Sequence, residues 1–183
     1  MELVKYLSND GMKIFAYDID DELTSEAEEK YGVTKITSDN IYNQDVDIYA
    51  PCALGATVND ATVNRFKCSI IAGAANNILH NPKKHGIDLM KRNILFAPDY
   101  VINGGGIINV AAEISGNYDR SWVDGKLDAL MNTLSEVFDQ ARQERRATNR
   151  IADEIARQRI AHGVTIVGLL DGIFGLRMIE RGR

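Results

Sequence analysis

With 183 residues, 45% of them hydrophobic, the chain is long enough to bury a proper core and too apolar for disorder. A net charge of -5 leaves no basic excess to neutralise phosphates, which argues against a nucleic-acid binder. Two cysteines, Cys52 and Cys68, and three histidines, His80, His85 and His162, lack the spacing of a disulfide framework or a metal site.

In chain order, Glu2 to Ser8 reads as the end of a helix, stopped at Asn9-Asp10-Gly11. Its amphipathic opening differs from a secretory leader, so a cytoplasmic location is expected. Lys13 to Asp18 reads as a strand, Glu22 to Tyr31 as a charged helix ending at Gly32, and Val33 to Ile36 as a further strand. Val46 to Ala50 is a strand closed by Pro51. Asn59 to Phe66 is expected to form a short helix, and Ser69 to Ala72 a strand broken at Gly73. Asp88 to Arg92 fits a helical turn before a strand at Ile94-Leu95-Phe96. From Trp122 the pattern changes to helix, with Leu127, Leu130, Leu134, Val137 and Phe138 on one face, and a second helix runs from Arg146 to Ala161. The arginines and glutamates of that second helix mark a solvated or intersubunit face. The most apolar segment, Val164 to Phe174, is too short to span a bilayer and contains Asp171. Alternating strands and helices with short loops predict an α/β fold with a mostly parallel sheet covered on both faces. Residues 1–120 form the α/β part, and 121–183 a C-terminal helical segment packing on it.

Four strand ends carry candidate chemistry. Asp18 closes the first strand, where a carboxylate can accept hydrogen bonds from ribose hydroxyls and repel a 2′-phosphate, favouring NAD over NADP. Ile19 follows it. An aspartate before a helix can equally serve as an N-cap, a role that Asp20 or Asp21 fits better. After the next strand, Cys52 and Ala53 permit close approach of a flat ring or ribose. Cys52 has no neighbouring base in a motif and reads foremost as a buried small side chain. Asn76-Asn77 can offer amide groups to a sugar or carboxamide, or bond their own backbone in a turn. In the segment from Ala97 to Ala112, Pro98 and Asp99 end a strand. Gly104-Gly105-Gly106 then let the chain turn, and a helix begins near Ile107. That order places Asn103 at the carboxyl end of a strand, where ligands bind in α/β sheets. The glycine fingerprint expected before Asp18 is missing, because too few residues precede it and no G-x-G-x-x-G occurs elsewhere.

Together, Lys13-to-Asp20, Asp47-to-Gly55, Ile71-to-Asn77 and Ala97-to-Glu113 resemble the cofactor domain of the Glu/Leu/Phe/Val amino-acid dehydrogenases, most nearly the leucine branch. The segments follow in the family's order and spacing, from Glu2 to about Ile160. The resemblance implies a Rossmann-like fold lacking its first strand and glycine loop, so that the chain opens inside the helix that would follow them. It implies NAD as cofactor, oxidation of an amino acid at Cα by hydride transfer, and hydrolysis of the resulting imine to a 2-oxo acid and ammonia. Asp18 would hold the adenosine ribose and Asn76 the nicotinamide ribose. Ile19 and the backbone at Cys52 and Ala53 would line the cofactor cleft, with Asn103 near the reacting centre. Ile107 and Val110, three apart on one helical face, match positions lining the substrate side-chain pocket. Two aliphatic residues there favour an apolar L-amino acid over glutamate, whose carboxylate would be desolvated unpaired; core packing is their alternative role. The family's catalytic lysines and aspartate lie in an N-terminal substrate domain, so no catalytic residue is carried over. The family commonly has alanine where Gly104 stands, and the similarity is expected to lapse after Ile160. The expected partners are further copies of the chain or an N-terminal domain, with no membrane. The other reading is a non-catalytic oligomerisation or partner-binding module derived from such a dehydrogenase.

Overall fold

A computed structural model describes residues 1–114, 116 and 118–161. His162, the apolar segment Val164 to Phe174 and the rest of the C-terminal stretch lie outside the described residues. Parallel strands alternate with helices, and the chain forms two compact units. One is Met1–Val46 with Asn64–Lys67; the other is Asp47–Val63 with the chain from Cys68 onward.

The first unit contains helix α1 (Glu2–Asn9), strand β1 (Phe15–Ala16), helix α2 (Asp21–Tyr31) and strand β2 (Thr34–Lys35). Gly11 ends the first turn region with φ of +76°, a left-handed conformation that a Cβ disfavours. Asp20 caps α2, its Oδ1 accepting from the Glu22 and Leu23 amides, and Gly32 closes the helix with φ of +67°. β1 and β2 pair in parallel, Phe15 opposite Thr34 and Ala16 opposite Lys35. The helix α2 is therefore the crossover between them, and it buries Thr24 and Ala27.

The second unit is built on β3 (Ile48–Tyr49), β4 (Ile70–Ile71) and β5 (Leu95–Phe96), parallel and in sequential order. Ile70 stands opposite both Ile48 and Leu95, which aligns the carboxyl ends of the strands. The helix α3 (Pro82–Lys91) links β4 to β5. Its fully buried Leu89 belongs to a core with Ile71, Ile78, Val58 and Phe96. After β5 come α4 (Asp99–Ile102), α5 (Gly105–Ile114), α6 (Arg120–Glu144) and α7 (Thr148–Ala161). Val137 and Ala141 of α6 meet Ile151, Ala152 and Ile155 of α7 in a second apolar cluster, against which Val101 of α4 packs. Thr148 fastens α7 to the sheet, its hydroxyl donating to the Phe96 carbonyl at 2.6 Å in a buried setting.

Three sequence expectations are corrected. Asn59 to Phe66 is a series of turns rather than a helix. Asn59 Oδ1 accepts from the Ala61 and Thr62 amides, and the Thr62 hydroxyl bonds back to the Thr57 carbonyl. These side chains offer the backbone local alternatives to a helical ladder. The helical turn expected from Asp88 begins six residues earlier, at Pro82, because Asn81 caps Lys83 and Lys84 and proline suits the first helical position. Pro98 and Asp99 end β5 but do not open a loop: they start α4 directly. Gly104, Gly105 and Gly106 all keep negative φ values and make no left-handed turn.

Candidate functional site

The candidate residues of the second unit gather at the carboxyl ends of its strands. The loop after β3 and the loop after β4 are stitched together by backbone hydrogen bonds. Ala75 N–H donates to the Pro51 carbonyl at 2.9 Å, and Ala56 N–H to the Asn77 carbonyl at 2.7 Å. Glycines permit this approach: a Cβ on Gly73 would lie 2.1 Å from the Pro51 carbonyl oxygen, and one on Gly55 2.4 Å from that of Asn76. Between these anchors, Cys52 and Ala53 are exposed. Cys52 is thus not the buried side chain expected; the chain turns outward after the buried Pro51. Cys68 is the buried cysteine, and burial pushes its thiol pKa up.

Asn103 caps the carboxyl end of α4 and reaches across to the loop after β4. Its Nδ2 donates to the Ala74 carbonyl at 2.9 Å and to Asn76 Oδ1 at 2.8 Å. The carbonyl partner fixes which end of the Asn103 amide is nitrogen, and that in turn fixes the Asn76 amide. Both donors of Asn103 are then used. Among the described residues, its Oδ1 acceptor and the Asn76 amide donors have no hydrogen-bond partner. Asn76 therefore does not satisfy its own turn; it is bonded to another element and keeps donors for a further group.

Two residues that sequence reasoning passed over hold this arrangement. Asp99 is only 8% exposed, and its Oδ2 accepts from the Asn77 amide at 2.7 Å. Asn77 sits at φ of +54°, a conformation asparagine tolerates better than most residues. Tyr100 places its hydroxyl 2.9 Å from the Asn149 carbonyl and 2.8 Å from Asp153 Oδ1, tying α4 to α7. Burial and the Asp153 carboxylate push the phenol pKa up, so it remains a proton donor. The available signal is a carboxylate three residues beyond the end of a buried strand, at the start of a helix, since a buried carboxylate requires partners.

Ile107 and Val110 lie on α5 and are 75% and 51% exposed. The helix buries Ala111 and Ala112 instead, and its glycine end abuts α6. A Cβ on Gly104 would meet Leu130 Cδ1 at 2.5 Å, and one on Gly105 would meet Leu127 Cδ2 at 3.3 Å. Core packing therefore does not explain the aliphatic pair within the described residues.

In the first unit, Asp18 follows β1 and is half-buried. Its Oδ1 accepts from the Asp20 amide at 3.0 Å, while Asp20 does the capping of α2. Asp18 Oδ2 has no hydrogen-bond partner among the described residues and can accept from a hydroxyl. Ile19, next to it, is 88% exposed. In the first unit, then, a carboxylate can accept from ribose hydroxyls; in the second, small exposed residues at a strand end and an asparagine with free amide donors suit a sugar or carboxamide. Among the described residues no three His, Cys, Asp or Glu side chains gather as metal ligands, and no helix is long and apolar enough to cross a membrane.

The sequence profile of the Glutamate/Leucine/Phenylalanine/Valine dehydrogenases matches residues 2–168. The chain belongs to this family. The match continues past Ile160, where the similarity was expected to lapse. The chain is 42% identical over 159 residues to the leucine dehydrogenase of Thermoactinomyces intermedius, covering 87% of this chain and 43% of that protein. It is 39% identical over 160 residues to the L-tryptophan dehydrogenase of Nostoc punctiforme, covering 87% and 45%. The crystal structure of L-tryptophan dehydrogenase from Nostoc punctiforme superposes with a TM-score of 0.84 at 39% identity, over 88% of this chain and 48% of that one. The chain thus spans less than half the length of the relatives it matches.

Proposed function

We propose that these residues form the cofactor-binding part of an NAD-dependent dehydrogenase that deaminates an apolar, leucine-like L-amino acid to its 2-oxo acid. The fold is read as Rossmann-like, the C-terminal nucleotide-binding part of the family's architecture, with 1–120 as its α/β portion. NAD supplies the hydride acceptor when bound. Asp18 accepts hydrogen bonds from the adenosine ribose, and its charge disfavours a 2′-phosphate. The exposed loop at Cys52 and Ala53 leaves room for the cofactor, with Ile19 offering an apolar contact. Asn76 donates to the nicotinamide ribose, and Asn103 orients the groups around the reacting carbon. Ile107 and Val110 present an apolar surface to the substrate side chain, which favours leucine-like substrates over charged ones. Proton transfer is assigned to no residue here, so turnover requires groups from a substrate domain.

The observation that carries this reading is the Asn103–Asn76 bond, which leaves polar amide groups free at the strand ends beside small exposed residues. Calorimetric titration of the chain with NAD and with NADP tests it. Saturable NAD binding that Asp18→Ala weakens at least tenfold, with NADP bound more weakly still, supports the reading. A stable chain that binds neither nucleotide but assembles with itself or with a relative would replace it with a non-catalytic interaction module. For the reaction, NADH formation from L-leucine is expected once a substrate domain is supplied, and its failure under those conditions counts against a dehydrogenase role.

A further inference from the structure

We infer that Asp99 is a positioning residue that sets the cofactor-facing asparagine pair, with its carboxylate and its own backbone carbonyl each holding one side of it. The inference rests on the assignment of Asn76 and Asn103 to the cofactor. The carboxylate accepts from the Asn77 amide at 2.7 Å, which pins the residue following Asn76 in its left-handed conformation. The Asp99 carbonyl accepts from the Asn103 amide at 2.9 Å, which closes α4 and fixes the cap from which the Asn103 side chain extends. Asn103 then reaches Asn76 Oδ1 at 2.8 Å. One residue thus closes a ring of three hydrogen bonds and one chain link, running Asp99, Asn77, along the backbone to Asn76, Asn103 and back to Asp99.

The carboxylate side of that ring is the part sequence can change. Asp99 is nearly buried, so its position is set by packing and not by solvent. A helix of four residues has little rigidity of its own. Its orientation comes from outside: Tyr100 ties it to α7, and Val101 packs on the α6–α7 cluster. A carboxylate mounted on a bracket held this way fixes the Asn77 amide. It thereby selects one conformation of the Asn76 loop from those a left-handed asparagine otherwise samples. Asp99 touches neither cofactor nor substrate under this assignment; it acts through Asn76.

The test uses Asp99→Ala and the conservative Asp99→Asn, whose amide oxygen can still accept from the Asn77 N–H. Amide exchange at Asn77 and the proximity of the Asn76 and Asn103 side-chain amides are read by NMR in the whole 183-residue chain. NAD and ADP affinities are read alongside them. In Asp99→Ala, exchange at Asn77 should rise at least tenfold and the contact between the two side-chain amides should be lost. Affinity for NAD should fall about tenfold while that for ADP, which lacks the nicotinamide ribose, stays within twofold. Asp99→Asn should restore each value to within about threefold. A merely structural role would weaken NAD and ADP together, and that result overturns the inference. So does an Asn77 amide and an Asn76–Asn103 contact unchanged in both variants. If Asp99→Ala does not fold, Asp99→Leu, which fills the same space but accepts no hydrogen bond, takes its place under the same criteria. If the unaltered chain binds no NAD, the cofactor assignment fails, and with it Asp99's role toward the cofactor. The NMR readings then show whether Asp99 still sets the loop geometry.

Discussion

Asn103 spends both amide hydrogens within the protein, on the Ala74 carbonyl and on Asn76 Oδ1, so the pair is fixed before any ligand arrives. Preorganisation of this kind lowers the ordering entropy of binding. It also makes the pair thermodynamically coupled. Asn103→Ala and Asn76→Ala should each lower stability by roughly 0.5–1.5 kcal/mol, the usual net worth of a hydrogen bond. The double variant should lose less than the sum, by about 0.5 kcal/mol or more, because both single changes remove the same bond. Urea unfolding of the four proteins measures this, and strict additivity would mean the two side chains do not meet in solution.

Gly73 and Gly106 should respond in opposite directions to alanine. At Gly73 a Cβ would press on the Pro51 backbone, 2.1 Å from its oxygen and 2.6 Å from its nitrogen, and no side chain can move aside. Gly73→Ala should lower stability by about 2–3 kcal/mol, in the range of overpacked sites. Gly106 lies in α5 with nothing within 4 Å of the added atom. Gly106→Ala should raise stability by about 0.5–1 kcal/mol through helix propensity. Thermal melts distinguish them by the sign of the change in Tm.

The sequence makes the strand ends legible because burial of a parallel sheet demands short apolar runs, and proline or glycine marks where each run stops. Pro51, Gly73 and Pro98 stand at those places, and the candidate residues lie beside them. The paired ladder is shorter than each run, since a residue can be extended and apolar without a registered partner. The role of Asp99 was not legible. Its partner Asn77 is distant in sequence, and local spacing carries no information on such a contact. The same holds for Asn59 to Phe66, whose composition suits a helix until the side chains of Asn59 and Thr62 bond the backbone instead. The three glycines mislead for another reason. Gly104 packs close against the Leu130 side chain, so a glycine there leaves room for a neighbour without making any turn.

The turn at residues 59–65 meets α3 through Asp60, whose carboxylate accepts from His85 Nε2 at 2.9 Å and pairs with Lys84. The Asn81 amide donates to His85 Nδ1, which fixes the neutral tautomer with its proton on Nε2. Hydrogen bonds from Lys84 and then His85 hold the Asp60 pKa down, to about 2 against 3.8. A carboxylate depressed on folding contributes stability above its unfolded pKa, and that contribution is lost as pH falls through the folded value. Acid titration should therefore show a loss of stability between about pH 4 and pH 2 that Asp60→Asn reduces. The pair is exposed, so the effect should shrink in high salt. An Asp60→Asn curve superimposable on the unaltered one across that window would show that the bond does not form in solution.

Ile107 and Val110 are open to solvent while Leu89 is fully buried, and that contrast sets the exposed pair apart from the core. Ile107→Ala and Val110→Ala should each change the stability of the chain by no more than about 0.5 kcal/mol, as surface substitutions do. Leu89→Ala should remove about 2–5 kcal/mol. If the pair contacts substrate, its cost appears elsewhere. With a substrate domain supplied, Ile107→Ala should reduce kcat/KM for L-leucine roughly tenfold, the equivalent of one or two methylenes of lost burial. A shorter side chain at that position should at the same time penalise bulkier apolar substrates less. Loss of stability comparable to Leu89→Ala, with kcat/KM unchanged, would return the pair to a packing role.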